Sequence, residues 1–140
     1  KLFIFGIDKN KFRKLKDYYK KFNIIFLGRV KKDKLKKAYG TSLGMICLGY
    51  DETFCLNAIE ANACGLPVIT FGETVLKDII KNNYNGSIVK NYKSLSNKIL
   101  ELINNDQFTK NKYINNSIKS SKKYLFNKIK KKWVKLFNTK

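Results

Sequence analysis

Five short apolar runs punctuate the first two thirds of the chain: LFIFG (2–6), NIIFLG (23–28), LGMICL (43–48), PVITF (67–71) and SIV (87–89). Between them lie stretches whose apolar residues recur at helical spacing, such as Phe12, Leu15, Tyr19 and Phe22 in KFRKLKDYYKKF. Strands that alternate with helices are joined by crossovers, and crossovers favour a parallel sheet. LGMICL is apolar throughout, as a strand covered on both faces must be. The expected fold class is α/β, a parallel sheet with helices on both faces.

Local signals place the remaining elements. A basic helix in KKDKLKKAYG is expected to close at Gly40, and a helix over about Phe54 to Cys64 at Gly65, with Pro67 shortly after. TVLKDIIKN reads as a short helix and NNYNG as a turn. From Ser94 onward the pattern is helix alone. Ser94 is placed to cap a helix with the stripe Leu95, Ile99, Leu102 and Ile103, and a second stripe follows at Leu125, Ile129, Trp133 and Phe137.

At 140 residues and 44% hydrophobic content the chain can bury one real core, so residues 1–140 are expected to form a single domain, with basic carboxyl-terminal helices over 104–140. No apolar run is long enough to span a membrane, and a cytoplasmic location is expected. There is no histidine, which excludes imidazole catalysis and a Ser-His-Asp triad within these residues. Cys47, Cys55 and Cys64 include no CxxC pair and read as reduced, mostly buried thiols, so no metal site is expected.

Charge divides the chain. Formal net charge is +20, with fourteen Lys or Arg against three acids in residues 1–37, and eleven Lys with no acid in 109–140. Between Leu43 and Ile80 the balance inverts: Lys77 alone faces Asp51, Glu52, Glu60, Glu73 and Asp78. The basic ends would attract phosphates, anionic lipid or nucleic acid. The acidic middle needs another explanation.

Ligands of open parallel sheets sit beyond the carboxyl ends of the strands, where a loop leads into a helix. Residues 48–54 are such a place. Backbone amides of Thr53 to Leu56 would open the following helix, where an anion gains roughly 0.3 to 1 kcal/mol from the dipole. Glu52 and Glu60 are eight residues apart, roughly 12 Å along a helix, so each could address one end of an extended ligand. On their own, the two carboxylates could equally be a helix-start charge and a surface residue.

ETFCLNAIEANACGLPVI, preceded by GMICL and followed by LKDIIKNNYNGSIV, closely resembles the carboxyl-terminal, nucleotide-sugar-binding half of GT-B glycosyltransferases of family four. The family pattern is two glutamates separated by seven residues, then A-x-G-x-P-V-I, an Ile-Ile segment and an Asn-Gly turn. The resemblance covers about residues 2–103 and implies a Rossmann-like donor-binding domain.

By position, Glu60 resembles the glutamate that accepts from ribose hydroxyls, and Glu52 the one at the reacting centre. The resemblance places Thr53, Phe54, Cys55 and Leu56 beside the sugar and diphosphate, and Gly28, Arg29 and Val30 beside the base. It implies retaining transfer from a nucleotide-diphosphate sugar to a glycan or lipid-linked acceptor, with no metal or other cofactor required. It further implies that the family's opening strand, its diphosphate-binding G-R-x-x-x-x-K-G loop and its amino-terminal acceptor domain fall outside residues 1–140. These residues are expected to be a fragment or half of a split enzyme, inactive alone.

Where the family has Gly-Phe-Gly, this chain has Thr53, Phe54 and Cys55, and the Cys55 side chain is expected to narrow the room at the sugar. The basic faces add an anionic membrane surface as a partner, which would place the enzyme peripherally at the inner face. The competing reading is a non-enzymatic basic α/β module on nucleic acid or membrane. It lacks any RNA-binding signature, so nucleic acid is the weaker expectation. A dinucleotide-dependent oxidoreductase is disfavoured because no G-x-G-x-x-G follows a strand.

Overall fold

The structure, a computed structural model, describes residues 1–6, 13, 19, 21–49, 54–72 and 75–138. They fall into two compact units, Lys1–Lys37 and Ala38–Lys140.

In the first unit, β1 (Leu2–Phe5) and β2 (Ile24–Gly28) pair in parallel, Leu2 opposite Ile24. The register slips between Ile4 and Phe5, which brings Phe5 opposite Gly28. Gly28 has φ +61°, a conformation that glycine adopts without strain, and there the chain turns into the loop that carries Arg29. Of the helix expected over 11–22, only Arg13, Tyr19, Lys21 and Phe22 are among the described residues.

Helix α1 spans Lys32–Thr41 and runs through Gly40 rather than ending there. Gly40 has no positive φ, so it supplies no left-handed cap. The end is instead closed by hydroxyls, with Ser42 Oγ donating to Ala38 O at 2.7 Å and Thr41 Oγ1 to the same carbonyl at 3.4 Å.

The second unit is built on three parallel strands in the order β3 (Met45–Cys47), β4 (Val68–Phe71) and β5 (Gly86–Val89). All four residues of the central β4 are buried, as a strand covered on both faces requires. Ile69, Phe71 and Val89 pack with Leu95, Leu102 and Tyr113 into one core cluster, joined by Ile46, Leu48 and Ile99.

Between β3 and β4 runs α2 (Leu56–Ala63). Its end is as the sequence predicts. Gly65, at φ +82°, donates to Asn62 O at 2.9 Å and Leu66 donates to Ala61 O at 2.9 Å, a paired closure that satisfies two terminal carbonyls. The segment after β4 forms a 3-10 turn, Val75–Asp78.

The Asn-Gly pair before β5 is more than a turn. Asn85 is fully buried; its amide donates to Asn62 Oδ1 at 2.6 Å and Ile79 O at 3.1 Å, and its Oδ1 accepts from Lys81 N at 2.7 Å. Asn62 in turn donates to Leu66 O and Asn85 O. A Cβ on Gly86 would lie 2.0 Å from Val68 O, so only glycine fits against β4 at that position.

Three helices follow. Helix α3 (Tyr92–Asn104) starts two residues before the expected cap, Ser94. Asn91 is the N-cap, accepting from Ser94 N at 2.9 Å, while Ser94 Oγ accepts from Asn91 N at 3.1 Å. Ser94 thus completes a capping box from the third helical position. Asp106 caps α4 (Gln107–Ser121) by accepting from Thr109 N at 2.7 Å, and this bond holds its carboxyl below the usual range. A short turn, Lys122–Tyr124, leads to α5 (Phe126–Phe137), none of whose residues is buried.

Candidate functional site

The β3 strand ends at Cys47 and continues through Leu48 and Gly49. Residues 50–53, which include Glu52 and Thr53, lie outside the described residues. The description resumes at Phe54, immediately before α2.

Helix α2 is divided by burial. Ala58, Ile59, Ala61 and Asn62 face the interior, leaving Leu56, Asn57, Glu60 and Ala63 on the open face. Glu60 lies four residues from Leu56, so its carboxylate stands one turn above the helix start on the same face. The family resemblance implies a ribose-binding role for this carboxylate, and Glu60 is solvent-accessible.

At the helix start the structure differs from expectation. Cys55 is the N-cap, with φ −78° and ψ 83°, and makes no side-chain cap bond. Those angles close an inverse γ-turn in which Leu56 N donates to Phe54 O at 2.9 Å. Ala58 N likewise donates to Cys55 O at 3.2 Å. The Leu56 amide expected to be open is therefore engaged, because a cap without a side-chain acceptor leaves the backbone carbonyls to take up the donors.

The Cys55 side chain is also not where the expectation put it. It is 1% exposed and turned inward, its Sγ 3.4 Å from Cys47 Sγ. The thiol thus occupies interior space and leaves the open face of α2 clear. Phe54 is the exposed side chain of this segment, and its ring meets Tyr124 edge-on at 6.0 Å.

Tyr124 and Lys123 were not legible as neighbours of this loop, since some 70 residues separate them from Phe54 and no local pattern links the two segments. Lys123 Nζ lies 4.8 Å from the Tyr124 ring centroid and donates to Asp78 O at 3.3 Å. An aromatic pair and a cation thus border the helix start.

Tyr39 of α1 is a second residue the sequence did not single out. Its phenol is pushed up to about 12, first by burial and then by the negative charges of Glu60, Cys64, Cys55 and Cys47. In the first unit Gly28 closes β2, and Arg29 and Val30 follow it, with Arg29 exposed.

A cavity of about 300 Å³, lined by Asn83, Tyr84, Lys98, Glu101, Lys112 and Tyr113, shares no residue with this site. Among the described residues, no group of three or more His, Cys, Asp or Glu is placed to hold a metal ion.

The sequence profile of the family described as "Glycosyl transferases group 1" matches residues 1–120. The chain belongs to this family of glycosyltransferases. An uncharacterised glycosyltransferase of Methanocaldococcus jannaschii, MJ1178, is 32% identical over 108 residues, covering 74% of this chain and 31% of that protein.

Among solved structures, a Staphylococcus aureus TarM variant in complex with UDP and α-GlcNAc-glycerol superposes with TM-score 0.81 at 26% identity, over 99% of this chain and 29% of that one. The carboxyl-terminal domain of a glycosyl transferase group 1 protein, LpcC of Francisella tularensis, matches the fold at TM-score 0.69 and 24% identity, over 84% of this chain and 64% of that one. The glycosyltransferase chain thus spans less than a third of MJ1178 and of TarM.

Proposed function

We propose that this chain is the donor-binding domain of a retaining glycosyltransferase that transfers a sugar from a nucleotide-diphosphate donor to a glycan or lipid-linked acceptor. The observation that carries the proposal is Glu60, held on the open face of α2 one turn beyond its start, in a chain of the glycosyl transferases group 1 family. A carboxylate in that place can accept two hydrogen bonds from vicinal ribose hydroxyls while the helix dipole favours the diphosphate nearer the start.

In this reading Glu52 acts at the reacting centre, and the loop at Thr53, Phe54, Cys55 and Leu56 lies along the sugar and diphosphate. Gly28, Arg29 and Val30 border the base. Stabilisation of the leaving diphosphate falls to the helix dipole and to basic side chains, with no metal required. UDP is the first nucleotide to test, because the TarM complex contains it.

The same reading assigns partners to α5. Phe126, Ile129, Trp133, Leu136 and Phe137 form its apolar side and all are exposed, while Lys128, Lys131 and Lys135 lie opposite. The apolar side suits the acceptor-binding domain implied by the family resemblance. The lysines then face outward, where an anionic membrane surface at the cytoplasmic face would meet them.

Calorimetric titration of the full-length protein with UDP and other nucleoside diphosphates tests the site. Binding is expected, and Glu60→Ala should weaken it by roughly 1.5 to 3 kcal/mol, the worth of hydrogen bonds to a charged acceptor. Undiminished transfer in EDTA and an unchanged anomeric configuration in the product are expected with it. A full-length protein that binds no nucleoside diphosphate, yet binds RNA with a steep salt dependence that Glu60→Ala leaves unchanged, would establish the nucleic-acid module instead.

A further inference from the structure

Cys47 closes β3 and Cys55 caps α2, and Glu52 lies between them in the sequence. Their sulfurs are 3.4 Å apart while both are reduced. A disulfide needs about 2.05 Å, so the sulfurs have roughly 1.4 Å to close. Cys47 is partly exposed and Cys55 is buried, which gives one thiol that a small reagent can reach and a second that can act only on the first.

We propose that Cys47 and Cys55 form a reversible disulfide that lowers affinity for the nucleotide sugar. The consequence for affinity rests on the donor-site reading of the preceding section; the thiol pairing itself does not. A low-molecular-weight disulfide of the glutathione class is the oxidant. Cys47 thiolate attacks one of its sulfurs, breaking that S–S bond and expelling one thiolate. Cys55, having given its proton to solvent, then attacks the Cys47 sulfur and expels the second thiolate. Two electrons pass from the cysteines to the reagent, and the two protons end on the two released thiols.

The bond acts on the site through Cys55. That residue is the centre of the γ-turn that joins Phe54 O to Leu56 N, so drawing its sulfur toward Cys47 alters the backbone that opens α2. Cys64, at the far end of α2, has no part in this pairing.

The test uses full-length protein equilibrated in reduced or oxidised glutathione, with alkylation and peptide mapping beside a UDP titration. Oxidation is expected to link the Cys47 and Cys55 peptides and to weaken UDP binding by roughly tenfold, reversed by dithiothreitol. Cys47→Ser should bind UDP as the reduced protein does and ignore oxidised glutathione, while Cys64→Ser should respond like the native chain. The proposal is overturned if both thiols stay alkylatable in oxidised glutathione, if either joins Cys64, or if the bond forms with affinity unchanged. Should the bond form while the reduced protein binds no nucleoside diphosphate, the donor-site reading fails and the affinity effect with it, while the peptide map still establishes the thiol pair.

Discussion

Asn85 is fully buried and makes six hydrogen bonds: two through its side-chain amide protons, one through its Oδ1, two through its backbone carbonyl and one through its backbone N–H. It ties the turn before β5 to Asn62 on the inner face of α2, the helix whose outer face carries Glu60. Asn85→Ala leaves Asn62 Oδ1 and Lys81 N without that partner, and is expected to cost about 2 to 4 kcal/mol of unfolding free energy, read from urea denaturation. The sequence identified Asn85 and Gly86 as a turn from residue type. That the asparagine is buried followed from nothing local, because its partner is 23 residues away.

Tyr39 sets a pH dependence at the same scale. The phenol ordinarily titrates at 10.0 and is raised to about 12 in the fold, so the unfolded chain loses its proton first. The resulting stabilisation is complete below pH 10.0 and disappears as pH rises to about 12. It amounts to roughly 2 to 3 kcal/mol, and thermal melts across that window should show a slope that Tyr39→Phe reduces.

At the scale of elements, the ends of helices decide the geometry of the site. Gly65 holds a positive φ and closes α2, and a Cβ there would come within 2.9 Å of Ile114 Cγ2 on α4. Gly65→Ala combines backbone strain with crowding between two helices and should cost roughly 1 to 3 kcal/mol, measured by the midpoint shift in urea. This terminus was legible because glycine followed by proline is a local code. The start of α2 was not, since Cys55 offers no polar cap and its side chain turns inward to Cys47, eight residues earlier. The α3 start moved from Ser94 to Asn91 for a related reason: both residues can cap, and their reciprocal hydrogen bonds select the earlier one.

At the scale of the whole molecule, eleven of the thirty basic residues lie in residues 109–140, where no acid balances them. The lysines of α5 should bind vesicles containing phosphatidylglycerol. Replacing Lys128, Lys131 and Lys135 by Gln in the full-length protein is expected to weaken co-sedimentation by roughly fivefold per lysine and to flatten its salt dependence. Equal sedimentation of native and variant protein would remove the membrane from the list of partners.

The order of the five strands, the parallel class and the placement of Glu60 on α2 were all determined by the sequence itself. Each depends on periodicity or on residue type within a few positions, and such signals survive without a neighbour. Tertiary structure alone decided that the Cys55 thiol turns inward, that Leu56 N–H is engaged, that Asn85 locks α2 to the β5 turn, and that Tyr124 meets Phe54. Each of these is a contact between segments distant in the chain or a choice between donors of similar strength, and such choices are made by packing.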